Sequence, residues 1–221
     1  MFNFVFNEKL NYDLESETTD NGRFYTTPDG RKYPSVTTVL SHGKKDGLQS
    51  WIDRVGKEEA EKIKNRAGNR GTKLHLLCEQ YLKGEITKLK ITKLMPFDKM
   101  LFRQMYPLLD QHVNNIHSLE QALYSHELKL AGRVDLIAEW DGEIAVIDFK
   151  SSTKEKKEEY IQNYFMQCTA YSEMFREITG NEITKIVVAI ATEEEVPQIF
   201  IKDKRDYLNN LHDVIDNYWK S

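Results

Sequence analysis

Gly132-Arg133-Val134-Asp135-Leu136-Ile137-Ala138-Glu139-Trp140-Asp141-Gly142-Glu143-Ile144-Ala145-Val146-Ile147-Asp148-Phe149-Lys150-Ser151-Ser152 is the stretch that decides the fold. Two strand-like segments flank Asp141-Gly142, a dipeptide that favours a two-residue hairpin loop. With that loop Trp140 pairs with Glu143, and counting back along both strands sets Asp135 opposite Asp148. Residues two apart share a strand face, so Lys150 joins Asp148. Directly opposed residues lie roughly 4.5–5.5 Å apart at Cβ, and like charges there destabilise the pair. Two unit charges at about 5 Å repel by ~3 kcal/mol at an effective dielectric of 20. A divalent cation between them reverses that sign, and hard carboxylate oxygens suit Mg²⁺ or Mn²⁺. The alternative is two unrelated hairpin charges. Asp148 ends an apolar run and Asp135 interrupts another, which favours a site.

The whole chain bounds this reading. Its 221 residues are most simply one domain with a sizeable core. Apolar content of 40% and charged content of 30% are ordinary for a soluble protein, and no apolar run approaches a membrane span. Met1-Phe2-Asn3-Phe4-Val5-Phe6 has neither a basic segment nor a long apolar stretch, so it does not read as a secretory signal. Cys78 and Cys168 are too few for a disulfide framework and fit a reducing compartment. The net charge of −4 argues against strong non-specific nucleic-acid binding by the whole surface, but not against a local basic groove. Residues 62–73 hold Lys62, Lys64, Arg66, Arg70 and Lys73 with no acid, and Lys83, Lys88, Lys90, Lys93 and Lys99 make a second basic stretch. Each run is either a solvated face or a track for a phosphate backbone.

Coarse patterning predicts a hairpin over residues 22–33, turning at Pro28-Asp29-Gly30, and a short helix capped by Ser35. Helices follow over residues 48–55 and 57–65. Gly68 to Gly71 is expected to break the helix before it resumes over residues 72–83. A lysine-rich connector leads to a helix over residues 97–116 containing Pro107. Strands are expected at residues 121–125, 134–140 and 143–149, and a long helix at 158–178 closed by Gly180. Two further strands (183–191 and 198–201) and a last helix (206–219) complete the chain. This order implies a mixed α/β fold with a mixed central sheet, helices packed on it and a helical N-terminal part.

His75 and Glu79 fall four apart on one helix face, either as an exposed polar pair or with His75 as an imidazole ligand of the same metal. Gln167 and Tyr171 repeat that spacing, either as part of an amphipathic stripe with Tyr160, Tyr164 and Met174 or as groups that reach DNA phosphate or orient the site. Taken in order, Gly71-Thr72-x-x-His75, Gly132-x-x-Asp135, Asp148-x-Lys150 and Gln167-x-x-x-Tyr171 resemble the PD-(D/E)XK nuclease superfamily in its RecB-like branch. Pro34-Ser35-Val36-Thr37, followed by Trp51 and Arg54, is similar to the mitochondrial genome maintenance exonucleases and their phage relatives. The resemblance runs from Tyr33 to the C-terminus. Val134 stands where the superfamily's name has proline, and Asp148 where many members have glutamate.

The resemblance implies a restriction-endonuclease-like core in a single nuclease domain, residues 1–221. Residues 1–71 would form the N-terminal hairpin and helices, and residues 72–221 the catalytic core. It implies a metal-dependent DNA exonuclease of phage type that prefers single strands with free ends, acting in replication, recombination or repair in the host cytoplasm. Catalysis falls to Asp135, Asp148 and Lys150. Mg²⁺ or Mn²⁺ is held by His75, Asp135, Asp148 and the carbonyl of Phe149. Glu79, Gln167 and Tyr171 are auxiliary, and Lys64, Arg66, Arg70 and Lys73 contact DNA. Some relatives hold an iron–sulfur cluster with four cysteines, which two cysteines cannot supply. The rival readings are a structure-specific endonuclease or resolvase, and a catalytically silent DNA-binding module of the same fold.

Overall fold

Asp141 and Gly142 both take positive φ, 54° and 80°, as a two-residue type I′ loop requires. Trp140 pairs with Glu143, and the ladder continues to Leu136 opposite Ile147, the expected register. The computed structural model describes residues 2–42 and 45–221, apart from the side chains of residues 45–48 and 88. Met1 and the side chain of Lys88, both used in the sequence reading, lie outside the described residues.

The N-terminal part holds β1 (Glu15–Thr19), β2 (Gly22–Thr26) and β3 (Lys32–Pro34), then α1 (Val36–Ser41), α2 (Lys45–Val55), α3 (Lys57–Leu82), α4 (Lys88–Ile91) and α5 (Pro96–His112). The core continues with β4 (Val113–Ser125), β5 (Leu130–Trp140), β6 (Glu143–Ser152), α6 (Gln162–Thr179), β7 (Lys185–Thr192), β8 (Gln198–Asp203) and α7 (Leu208–Lys220). β1, β2 and β3 form a small antiparallel sheet. The central sheet has the order β4-β5-β6-β7-β8, with β6 and β7 parallel and the other neighbours antiparallel. α6 makes the crossover that a parallel pair needs. It ends at Gly180, whose φ of 82° sends its N–H to Arg176 O at 2.8 Å.

Side chains alternate across this sheet. Ile137, Val146, Val188 and Ile190 pack with α1, α6 and α7. Leu136, Ala138, Ile147, Phe149 and Val187 pack with α3 and α5. β7 is therefore covered on both faces, which explains its unbroken apolar run. Gln104 locks α5 to β7, accepting from Thr192 N at 3.0 Å and donating to Thr192 O at 2.9 Å.

Three expectations fail. α3 runs unbroken through Gly68 and Gly71. An interior glycine costs only about 1 kcal/mol relative to alanine, and buried Leu74, Leu77 and Cys78 anchor the helix beyond it. The boundary drawn at residue 71 thus falls inside one helix. α5 stops at His112, and β4 begins at the next residue without a loop. Val113, Asn114, Asn115 and Ile116 are weak helix formers, and Ile116 gains burial as the partner of Ala138. β1 was not foreseen, since Glu15-Ser16-Glu17-Thr18-Thr19 is exposed throughout and carries no apolar alternation.

Candidate active site

Beyond Leu136 and Ile147 the β5–β6 ladder opens. The Phe149 N–H donates instead to Asp135 Oδ2 at 2.8 Å. The N–H and C=O of one strand residue point the same way, so the Phe149 carbonyl also faces Asp135. Asp148 is buried and is gripped by Lys150, whose Nζ lies 2.5 Å from both carboxylate oxygens. Gln167 Nε2 donates to Asp148 Oδ1 at 3.0 Å. The Tyr164 ring sits 5.1 Å from Lys150 Nζ, a cation–π contact.

The opposed carboxylates are thus not left bare. Lys150 neutralises Asp148, and His75 Nδ1 approaches Asp135 Oδ1 at 3.2 Å. These two side-chain cations offset part of the repulsion, and Asp148 still stays above the usual carboxylate range.

A third carboxylate joins the row. Leu119 pairs with Leu136 and Gln121 with Val134, which sets Glu120 opposite Asp135. Glu120, Asp135 and Asp148 therefore line up across β4, β5 and β6. Glu120 has a φ of 48°, and Arg133 Nη1 donates to its carbonyl. Gly132 is needed for a separate reason: a Cβ there would meet Tyr171 Oη at 2.8 Å. The Gly132-Arg133-Val134-Asp135 motif thus seats Tyr171, braces Glu120 and presents Asp135.

His75, Glu120 and Asp135 each offer a ligand atom, all within 4.8 Å of one another. Two hard oxygens and one imidazole nitrogen suit Mg²⁺ or Mn²⁺. Asp148 Oδ2 is buried with no hydrogen bond beyond its ion pair with Lys150, which leaves lone pairs for a cation. The donor set fits a divalent ion. An open cavity of about 580 Å³, lined by Arg23, Thr72, His75, Glu79 and Glu120 among others, leads to it.

The ionisation pattern follows from this crowding. Burial lowers the basicity of His75, but the Asp135 charge and hydrogen bond outweigh it and lift its pKa to about 9. Burial, then the Asp135 charge, pushes Glu120 up to about 7. Burial, against the pull of Lys150 and with the Asp135 charge, holds Asp148 at about 6. Asp135 stays below the usual range, because His75 and Lys150 together overcome its burial. The stabilising share of His75 is full below about 6.5 and fades as pH rises through about 9. Glu120 and Asp148 bind more protons folded than unfolded, so they also cost stability as pH rises through about 6–7. In chelator the melting temperature should fall by roughly 5 °C between pH 6 and pH 9. Mg²⁺ should reverse most of that fall, since its ligands must be deprotonated. A melting temperature that climbs over this range without metal contradicts these assignments.

The remaining sequence candidates separate. Gln167 orients Asp148, and Tyr171 is buried beside Gly132 with Gln167 as its partner, so neither reaches outward to DNA. Glu79 lines the cavity and pairs with Lys83 at 2.6 Å. Arg70 is buried, bonded to Ser151 Oγ and Thr153 Oγ1 at 3.1 Å and to Glu193 Oε1 at 2.5 Å. It braces the end of β6 rather than presenting a charge to DNA. Lys64 faces Trp51 and Ile52, away from Arg66 and Lys73. Arg66 is exposed and shares Glu193 at 2.8 Å, and Lys73 lies 3.8 Å from Asp98. Glu120 and Arg23 were missed. The β4 register and the docking of the N-terminal sheet leave no local mark in the sequence.

Residues 99–199 match the family model of the PD-(D/E)XK nuclease superfamily. Human mitochondrial genome maintenance exonuclease 1 is 29% identical over 153 residues, covering 62% of this chain and 42% of that protein. One component of the ATP-dependent helicase/nuclease of Clostridium botulinum (strain Alaska E43 / Type E3) is 32% identical over 68 residues, 31% of this chain and 6% of that one. The crystal structure of a proposed exonuclease from Eubacterium rectale superposes with a TM-score of 0.47 at 15% identity, covering 68% of this chain and 65% of that one. The chain thus spans less than half the length of both curated relatives. The similarity to the PD-(D/E)XK nuclease superfamily lies in residues 99–199, a little under half of this chain.

Proposed function

We propose that this chain is a metal-dependent DNA exonuclease that degrades single strands from free ends. The row of Glu120, Asp135 and Asp148, flanked by His75 and Lys150, carries the reading. His75, Glu120 and Asp135 would hold Mg²⁺ or Mn²⁺, with Asp148 Oδ2 and the Phe149 carbonyl as further donors. Once bound, the ion polarises the phosphate and lowers the pKa of the attacking water. Lys150 orients that water or neutralises charge growing on phosphorus. Asp148, Gln167 and Tyr164 fix where its ammonium sits. In the step a water oxygen bonds to phosphorus as the bond to the leaving nucleotide oxygen breaks, and that oxygen takes up a proton.

Preference for free single-stranded ends and a phage-type role in replication, recombination or repair rest on the resemblance. The N-terminal sheet sends Arg23 to the cavity, in keeping with a covered approach that favours threading within one nuclease domain. Among the described residues no helix is long and apolar enough to cross a membrane. Both cysteines are free and buried, which supports a reducing compartment such as host cytoplasm. A threading enzyme must admit a terminus, so linear single-stranded DNA should be degraded to short products, blunt duplex slowly, and closed single-stranded circles not at all. Circle loss measured against linear loss at equal enzyme decides this. Equal rates would mean an endonuclease.

A further inference from the structure

A second groove of about 800 Å³ opens between α3 and the start of α5. It lies on the face of α3 away from His75. Lys62, Arg66, Asn69 and Lys73 follow at intervals of four, three and four residues and so share that face. Phe97, on the α5 side, is more than a third exposed although large and apolar. The Arg66 guanidinium lies over its ring, 6.0 Å from the centroid.

We propose that this groove takes one unpaired nucleotide, its base held between the Arg66 guanidinium and the Phe97 ring. The assignment rests on the single-strand reading above and names the remote contact that would produce it. A base stacked on both faces needs a gap of ~7 Å, twice the base rise, and Arg66 makes that gap by loosening its ion pair with Glu193, 2.8 Å long and largely exposed on the Arg66 side. Every base has a π-face, so the contact is indifferent to sequence. A base inside a duplex has both faces covered by its neighbours, so duplex is excluded. Lys62, four residues before Arg66, and Lys73, four after Asn69, are exposed and exchange their surface partners Glu58 and Asp98 for the flanking phosphates.

Binding without divalent cation isolates this contact from cleavage. Fluorescence anisotropy would use an oligodeoxythymidylate 12-mer, an abasic 12-mer and a 12-base-pair duplex as probes. Phe97→Ala should weaken oligodeoxythymidylate binding about tenfold while leaving the abasic strand and the duplex unchanged. Phe97→Trp should bind oligodeoxythymidylate at least as tightly as the parent chain. Unchanged oligodeoxythymidylate binding by Phe97→Ala, or equal losses on the base-bearing and abasic strands, would overturn the base contact alone. Failure of the parent chain to bind any single strand would overturn the functional reading as well.

Discussion

Lys150→Ala should lose cleavage by about a thousandfold and should also melt lower. Its ammonium is the half-buried partner of buried Asp148, and stripping a buried carboxylate of its partner costs about 3–5 kcal/mol, roughly 10 °C for a chain of this size. Asp148→Asn tests the same pair from the other side. From sequence alone, removing one of two opposed carboxylates should leave the metal-free protein unharmed or slightly steadier. The structure keeps that sign, because burial holds Asp148 above the usual carboxylate range even with Lys150 beside it. Asp148→Asn should therefore melt at or slightly above the parent chain in chelator near pH 8 and should not cleave. If it melts many degrees lower, the ionised Asp148–Lys150 pair holds the fold of the site together.

The second large effect concerns the row of acids. Asp135→Asn can still accept the Phe149 N–H, so the local backbone should hold, but it gives up the charge facing His75 and Glu120. Mn²⁺ affinity, read by calorimetry, should drop at least ~100-fold, and cleavage should vanish. Glu120→Gln should also weaken Mn²⁺ binding. In chelator near pH 8, however, it should melt higher than the parent chain, because it removes a carboxylate that burial disfavours in its charged form. A Glu120→Gln protein with unchanged Mn²⁺ affinity would make Glu120 a structural acid.

The hairpin, its register and the convergence of Asp135, Asp148 and Lys150 were readable because Asp141-Gly142 encodes its own turn and period-2 alternation does the rest. Gly180 and Ser35 were readable as helix punctuation for the same reason: each acts through its own backbone or side chain, as in the Ser35 Oγ that accepts from Thr38 N at 3.0 Å. What was not readable depends on distant partners. Glu120 needs the β4–β5 register, which the loop between those strands does not encode in any simple dipeptide. Arg70 looked like one more cation in a basic run, and only its contacts with Ser151, Thr153 and Glu193 turn it into a brace. Lys64 differs from Arg66 by direction alone, which emerges once α3 is known to be one continuous helix. The two glycines suggested a break because intrinsic propensity is local, whereas the packing that carries α3 across them is not.

Cleavage of an end-labelled linear single strand, by protein first dialysed against chelator, bears most directly on the proposed metal-dependent site. The parent chain should be silent in excess chelator and regain full activity with Mg²⁺ or Mn²⁺, Mn²⁺ serving at least as well because His75 adds a nitrogen donor. Asp135→Asn should stay silent with either ion. Full cleavage in excess chelator, or metal-restored cleavage by Asp135→Asn, would contradict it.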